Sequence, residues 1–343
     1  MSLHLRRSLG EGFGYLPGEQ PPDGEGWIKL NTNESPLPPS PQVAAAIAAA
    51  VADLNRYPDP QAEPLRTALA VHHGVDPAQV AVGNGADGLI DACLRAYCEA
   101  GSTVVLTDPT YSLLPVAARL QGATPHAVAL PPDGDLPDEF AAIEAPLRFI
   151  VNPNTPMGTW IEPTQLDRRL RNAGGVVVID EAYCDFAPRS SIPLLAGHPN
   201  WLVLRTFSKS YALAGLRVGY AVGAADLIDD LQAVGESYPV DRCAIAGARA
   251  ALHDDAHHLR IIDAVVDERA RLSAELIALG WQVTRSQANF VTGRPPGQTA
   301  AAVADQLRQR RVLVRCLGSG DAGVLRITVG TAAENDALLT ALR

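Results

Sequence analysis

The run Gly174-Gly175-Val176-Val177-Val178-Ile179-Asp180 does most to limit what this chain can become. It is apolar on both faces of any strand it forms, so both faces must be covered. Comparable runs recur near 80, at 103–111, 125–130, within 147–158 where a strand runs into a Pro/Gly-rich loop, and at 201–209 and 217–223. Helical stretches separate them, at 63–73, from about 86, at 112–120 and at 163–173, with an earlier one opened by Pro41 at 41–54. Strands that alternate with helices predict a three-layer α/β domain with a mainly parallel sheet.

After residue 224 the rhythm changes. Helices are expected at 225–234, 241–252, 256–278, 299–310 and the end, with strands near 281–285, 289–293, 312–315 and 324–329. That pattern suits a smaller α+β domain. The expected division is an N-terminal arm at 1–30, a large domain at 31–235 and a small domain at 236–343, packed with part of the N-terminal segment. Residues 1–30 are rich in glycine and proline and carry no core pattern of their own.

With 343 residues, 47% hydrophobic, the chain can build a full core, and its net charge of −10 argues against a nucleic-acid surface. No stretch is apolar enough to span a membrane, and the opening residues carry no apolar run of signal-peptide length. Five cysteines without a CxxC pair read as reduced thiols. A cytoplasmic protein is expected, with neither nucleic acid nor membrane as a partner. His72-His73 reads as surface, and His126 and His198 as solvated; no Cys/His set has metal-ligand spacing.

In open α/β sheets ligands gather beyond the carboxyl ends of the strands. Four clusters fall at such ends: Gly83–Gly88, Asn152–Gly158, Asp180–Tyr183 and Thr206–Lys209. The first opens a helix, whose free N–H groups suit a phosphate, although a tight structural turn would give the same glycines. It matches GxGxxG spacing but lacks the βαβ start of a dinucleotide site, and no Gly-Lys-Ser/Thr follows. Asp180 closes a buried strand, where a carboxylate needs a cationic partner or a cap. Lys209 is either an exposed strand-end lysine or a nucleophile in a desolvated pocket. Arg217, eight residues on, could neutralise a phosphate.

Together the segments Asp108-Pro109-Thr110-Tyr111, Asn152-Pro153-Asn154-Thr155-Pro156-Met157-Gly158, Asp180-Glu181-Ala182-Tyr183, Thr206 to Tyr220, and Leu325 to Gly330 resemble the aminotransferase class I/II superfamily of fold-type I pyridoxal 5′-phosphate (PLP) enzymes. The histidinol-phosphate aminotransferase branch is resembled through Tyr15-Leu16-Pro17-Gly18-Glu19, Asn31 to Pro36 and Arg56-Tyr57-Pro58. The likeness covers almost the whole chain, and threonine-phosphate decarboxylases resemble the same branch.

The resemblance implies that Lys209 binds PLP covalently and later shuttles a proton. Asp180 would pair with the ring nitrogen, Tyr183 with the ring hydroxyl, and Tyr111 would stack on the ring. Ala86, Asp87, Thr206, Ser208 and Arg217 would hold the phosphate, joined by Tyr57 of the neighbouring subunit of a homodimer. Arg326 would clamp a substrate carboxylate. Arg315, Tyr15 and Asn33 fall at the branch's substrate-binding positions. The sequence departs from the family at Thr155, where asparagine is usual, at Met157 and at Gly88; Asn154 is the neighbour able to replace the missing amide. The reaction expected is transamination of L-histidinol phosphate with 2-oxoglutarate, that is, an amino donor and a 2-oxo acid acceptor. Aromatic or general amino-acid transamination, threonine-phosphate decarboxylation, and a catalytically silent binding protein of the same fold are the alternatives.

Overall fold

The computed structural model describes residues 6, 14–21, 26–131, 135–318, 320 and 323–343. The remainder of the expected N-terminal arm lies outside the described residues. Among the described residues there are twelve strands: β1 (Ile28–Leu30), β2 (Val80–Asn84), β3 (Thr103–Asp108), β4 (Thr124–Ala129), β5 (Leu147–Val151), β6 (Val176–Asp180), β7 (Trp201–Thr206), β8 (Val218–Gly223), β9 (Gln282–Val283), β10 (Phe290–Arg294), β11 (Val312–Leu317) and β12 (Val324–Thr328).

Seven strands form the larger sheet, in the order β2-β8-β7-β6-β5-β3-β4. Adjacent pairs from β7 to β4 run parallel, while β8 is antiparallel to both neighbours. The central runs are buried as their composition demands: every residue of β5, β6, β7 and β8 is buried. One apolar cluster joins Val177, Ile179 and Val203 to helix residues such as Leu65 and Leu166; another joins Val178 and Leu204 to Leu89 and Ile228. The sheet is therefore covered on both faces, the three-layer arrangement expected of such strands.

Five strands form the smaller sheet, in the order β1-β11-β12-β10-β9. Helix Asp255–Ala278 packs on it through Ile261, Val265, Leu272 and Leu276. The three residues of β1 enter this sheet beside β11, a parallel pairing nearly the length of the chain apart. His198 departs from its expected solvated state: it is buried, its ring stacks on Trp201 at 3.7 Å, and Nε2 lies 2.9 Å from Asp167. The flat face of the imidazole covers indole while its edge reaches an acid.

The reversed direction of β8 matters for the site. Its first residue, Val218, pairs with Asn84, the last residue of β2, and Gly219 pairs with Thr206, the last of β7. Arg217 thus arrives at the rim where β2, β6 and β7 all end.

Candidate active site

A cavity of about 300 Å³ opens at that rim. Thirteen of the fifteen expected site residues line it: Tyr15, Asn33, Ala86, Asp87, Tyr111, Asp180, Tyr183, Thr206, Ser208, Lys209, Arg217, Arg315 and Arg326. The strand ends account for the convergence. Asp180 ends β6, Thr206 ends β7, and Ala86 and Asp87 stand in the first turn of helix Gly85–Tyr97, straight after β2.

Asp180 is 3% exposed, and one carboxylate oxygen accepts the Ala182 N–H at 3.0 Å. Burial pushes its pKa up to about 7, opposed by the Ala182 N–H and more weakly by Lys209. The Lys209 amine is half-buried, with Nζ 3.5 Å from the Thr32 carbonyl and 5.7 Å from the Tyr183 ring centroid. It makes no ion pair among the described residues. Tyr183 accepts the Asn33 Nδ2 hydrogen at 2.9 Å, which leaves its own O–H free to donate into the cavity. Tyr111 donates to Asp87 at 3.2 Å, and burial raises its phenol well above the ordinary range.

The helix start is tightly built. Gly85 has φ +68°, and a Cβ there would sit 2.7 Å from Arg217 Nη2. A Cβ on Gly219 would sit 2.4 Å from the Gly85 carbonyl carbon and 2.5 Å from the Ala86 nitrogen. Two glycines therefore let the first N–H groups of the helix, the Arg217 guanidinium and Ser208 stand around one space. Arg217 Nη1 is 3.4 Å from Ser208 Oγ, and Nη2 is 3.1 Å from Asp87 Oδ2. Thr206 and Ser208 are linked by their hydroxyls at 3.0 Å.

Opposite the helix stand two arginines. Arg326 donates to Thr155 Oγ1 at 3.1 Å and to the Asn31 carbonyl at 3.2 Å, while its buried Nε lacks a partner. Burial lowers its pKa. Arg315 donates to the carbonyls of Pro17 (3.0 Å) and Leu16 (2.7 Å), which lays residues 15–18 beside the cavity. Tyr15 meets Tyr111 edge-on at 6.0 Å.

Two expected residues do not line the cavity. Asn154 does not supply the amide missing at Thr155. Its side chain donates to the Pro109 carbonyl at 2.9 Å and accepts the Met157 N–H at 3.2 Å, so the loop uses both its polar ends. Thr155 faces the cavity instead. Tyr57 is 77% exposed and stacks on Tyr238 at 4.5 Å, outside the cavity of its own chain. Asn31, Thr32 and Glu34 also line the site and were passed over, though the segment Asn31 to Pro36 had marked the region.

The residues present fit PLP. A buried carboxylate without a cation suits a protonated ring nitrogen, an unpaired lysine amine suits an aldehyde, and the glycine-built cradle with Arg217 suits a phosphate.

The family model for aminotransferase class I and II matches residues 25–342, and the chain belongs to that family. Within it, the relatives lie in the histidinol-phosphate aminotransferase branch. Histidinol-phosphate aminotransferase 2 of Thiobacillus denitrificans is 44% identical over 337 residues, covering 96% of this chain and 94% of the relative. Histidinol-phosphate aminotransferase 1 of Bordetella parapertussis is 44% identical over 354 residues, covering 100% and 99%. Among solved structures, histidinol-phosphate aminotransferase of Sinorhizobium meliloti in complex with pyridoxal-5′-phosphate superposes with a TM-score of 0.85 at 31% identity, over 92% of this chain and 89% of that one.

Proposed function

We propose that this aminotransferase moves the amino group of L-histidinol phosphate to 2-oxoglutarate, giving imidazole acetol phosphate and L-glutamate. The observation that carries the reading is the pair of guanidiniums, Arg315 and Arg326, at the cavity wall without a carboxylate partner for either among the described residues. Histidinol phosphate has a phosphate and no α-carboxylate, whereas glutamate has the carboxylate. Two sites for two different anions serve both halves of such a cycle. The relatives named for this activity, 44% identical over 96% of the chain, support it.

PLP is the cofactor. When bound, it supplies the electron sink that loss of a Cα proton requires. Lys209 Nζ, as a neutral amine, would take the proton from the carbon bearing the donor nitrogen. Asp180, ionised, would stand against a cationic ring nitrogen. Tyr183, oriented by Asn33, would offer its O–H to the ring. The first-turn N–H groups of Ala86 and Asp87, with Thr206, Ser208 and Arg217, would hold a phosphate. Arg326 grips the carboxylate of glutamate or 2-oxoglutarate through two prongs. Arg315 takes the substrate phosphate in exchange for the Leu16 and Pro17 carbonyls, and Tyr15 closes that side. The enzyme acts as a cytoplasmic homodimer in which the exposed Tyr57 reaches the partner's site.

The test is a single-turnover absorbance titration of the PLP form with L-histidinol phosphate, O-phospho-L-threonine, phenylalanine and glutamate, with CO₂ assayed in parallel. Conversion of the cofactor to its amine form by histidinol phosphate and by glutamate, without CO₂, is the expected result. CO₂ release from phosphothreonine with no such conversion would make the enzyme a decarboxylase.

A further inference from the structure

Three residues of the site have close chain neighbours that meet behind the cavity. Asp180 is followed by Glu181, Tyr183 lies two residues before Asp185, and Lys209 is followed by Ser210. Glu181, Asp185, Ser210 and the strand residue Arg205 are absent from the cavity lining. Successive side chains of extended backbone point to opposite sides, so a strand end that offers one residue to the cavity offers the next to the interior.

In that interior Arg205, 7% exposed, lies between two acids. Its Nη2 donates to Asp185 Oδ1, and Nη1 is 3.4 Å from Glu181 Oε2. Asp185 Oδ2 accepts the Ser210 hydroxyl. Glu181 accepts the Ser190 hydroxyl at 2.6 Å and the Ser191 N–H at 2.5 Å. His258, from helix Asp255–Ala278, brings Nε2 to 3.6 Å from Asp185 and stacks on Tyr211 at 3.8 Å. A buried ionic cluster is a poor source of stability, because desolvation offsets much of its attraction. What it does fix is geometry: the Arg205 guanidinium ties the chain just after Asp180 to Asp185, just after Tyr183, and Asp185 in turn holds the chain just after Lys209 through the Ser210 hydroxyl.

We propose that Arg205, Asp185 and Ser210 are positioning residues that hold the Lys209 turn against the Asp180–Tyr183 loop, setting the reach of the Lys209 amine. The inference rests on membership of the aminotransferase family and not on which amino donor is used.

The test compares Ser210→Ala, Asp185→Asn and the double variant as holoenzymes, in the half-reaction with whichever donor converts the wild type. Each is followed by kcat, KM and the pH midpoint of the visible absorption of the bound cofactor. Ser210→Ala removes one hydroxyl from a turn and leaves the ion pair in place, so it keeps the fold even where Asp185→Asn does not. The expected result is a kcat lower by about tenfold, a KM within about twofold and an absorption midpoint moved by roughly half a pH unit. The double variant is expected to lose no more than the worse single one, because both act through one contact. Unchanged kcat and midpoint in Ser210→Ala, with lower thermal stability alone, would overturn the proposal. So would losses that simply add in the double variant. Should Asp185→Asn fail to fold, Ser210→Ala alone decides, by the movement or constancy of kcat and midpoint. A wild type that rejects histidinol phosphate but converts another donor would refute the substrate reading and leave this test intact.

Discussion

Arg315 and Arg326 are direct partners across the antiparallel pair β11–β12. Like charges directly opposite one another are unfavourable in a sheet. Among the described residues each guanidinium meets only neutral acceptors: main-chain carbonyls for Arg315, a carbonyl and the Thr155 hydroxyl for Arg326. Such acceptors are weaker partners than an anion, so both arginines can exchange them for charged groups on a substrate. Their separation in the sequence, eleven residues, becomes adjacency because β12 runs back antiparallel beside β11.

The pair predicts a split between half-reactions. Arg315→Ala should raise KM for a phosphorylated donor about thirtyfold, equivalent to the roughly 2 kcal/mol of a charge-assisted hydrogen bond, and leave the glutamate half-reaction within a few-fold. Arg326→Ala should do the opposite, and Arg326→Lys should not restore it, since an ammonium cannot make the two-pronged contact. Separate titrations with each donor check this; equal losses in both half-reactions for both variants would contradict the division of roles.

A second prediction concerns Asp180 and pH. In the protein without cofactor its pKa is raised to about 7 from an ordinary 3.8. The folded state therefore holds a proton that the unfolded state gives up. No stability is lost below the unfolded value; the loss accumulates as pH rises from about 4 to about 7 and is then constant, on the order of 4 kcal/mol at most. A cationic ring nitrogen removes that penalty. The gap in thermal midpoint between the PLP-loaded and PLP-free protein should thus widen between pH 5 and pH 8. Asp180→Asn, which has no proton to lose, should flatten this dependence and lower kcat by a thousandfold or so. Thermal unfolding of the four samples at both pH values decides it.

Much of this could be read in the sequence. Val176 to Ile179 and Trp201 to Leu204 were legible because unbroken apolar runs fit few places other than a covered sheet. The acid and the lysine at their ends then pointed to the rim. Other parts were hidden for physical reasons. β1 has three residues, too few for a period, and its partner Val312–Val314 lies at the far end of the chain. The choice between Asn154 and Thr155 depends on which way a tight loop turns its side chains, and no local pattern reports that. Arg205 looks like an interruption in an apolar strand; its acids come from another strand end and another loop, and only the fold assembles them.

Gly219 is the third test. A methyl group there would overlap the Gly85 carbonyl carbon and the Ala86 nitrogen, both main-chain atoms that cannot swing aside. The start of helix Gly85–Tyr97 must then move away from β8, taking the phosphate-binding N–H groups with it. Gly219→Ala is expected to weaken PLP retention by tenfold or more. Gly88→Ala, in the same helix with its nearest foreign atom at 3.5 Å, should leave retention nearly unchanged. Equilibrium dialysis of the cofactor against both variants measures the difference, and equal retention would show that the cradle tolerates the shift.

The exposed Tyr57 gives the last prediction. A phenol 77% exposed and stacked on Tyr238, itself partly open to solvent, is poorly placed for a role in its own cavity and well placed to meet a second copy. If each site borrows Tyr57 from the partner, Tyr57→Ala and Lys209→Ala are defective in different places. A mixed dimer then contains one site with both residues intact and one with neither. Random re-association of equal amounts gives half mixed dimers, and so about a quarter of wild-type activity when assayed at a PLP level too low to load the Tyr57→Ala parent. Tyr57→Ala alone should lower cofactor affinity, with the dimer preserved on sedimentation. Recovery that never rises above the sum of the parents, under conditions where subunit exchange is demonstrated by mass, would place Tyr57 outside the partner's site.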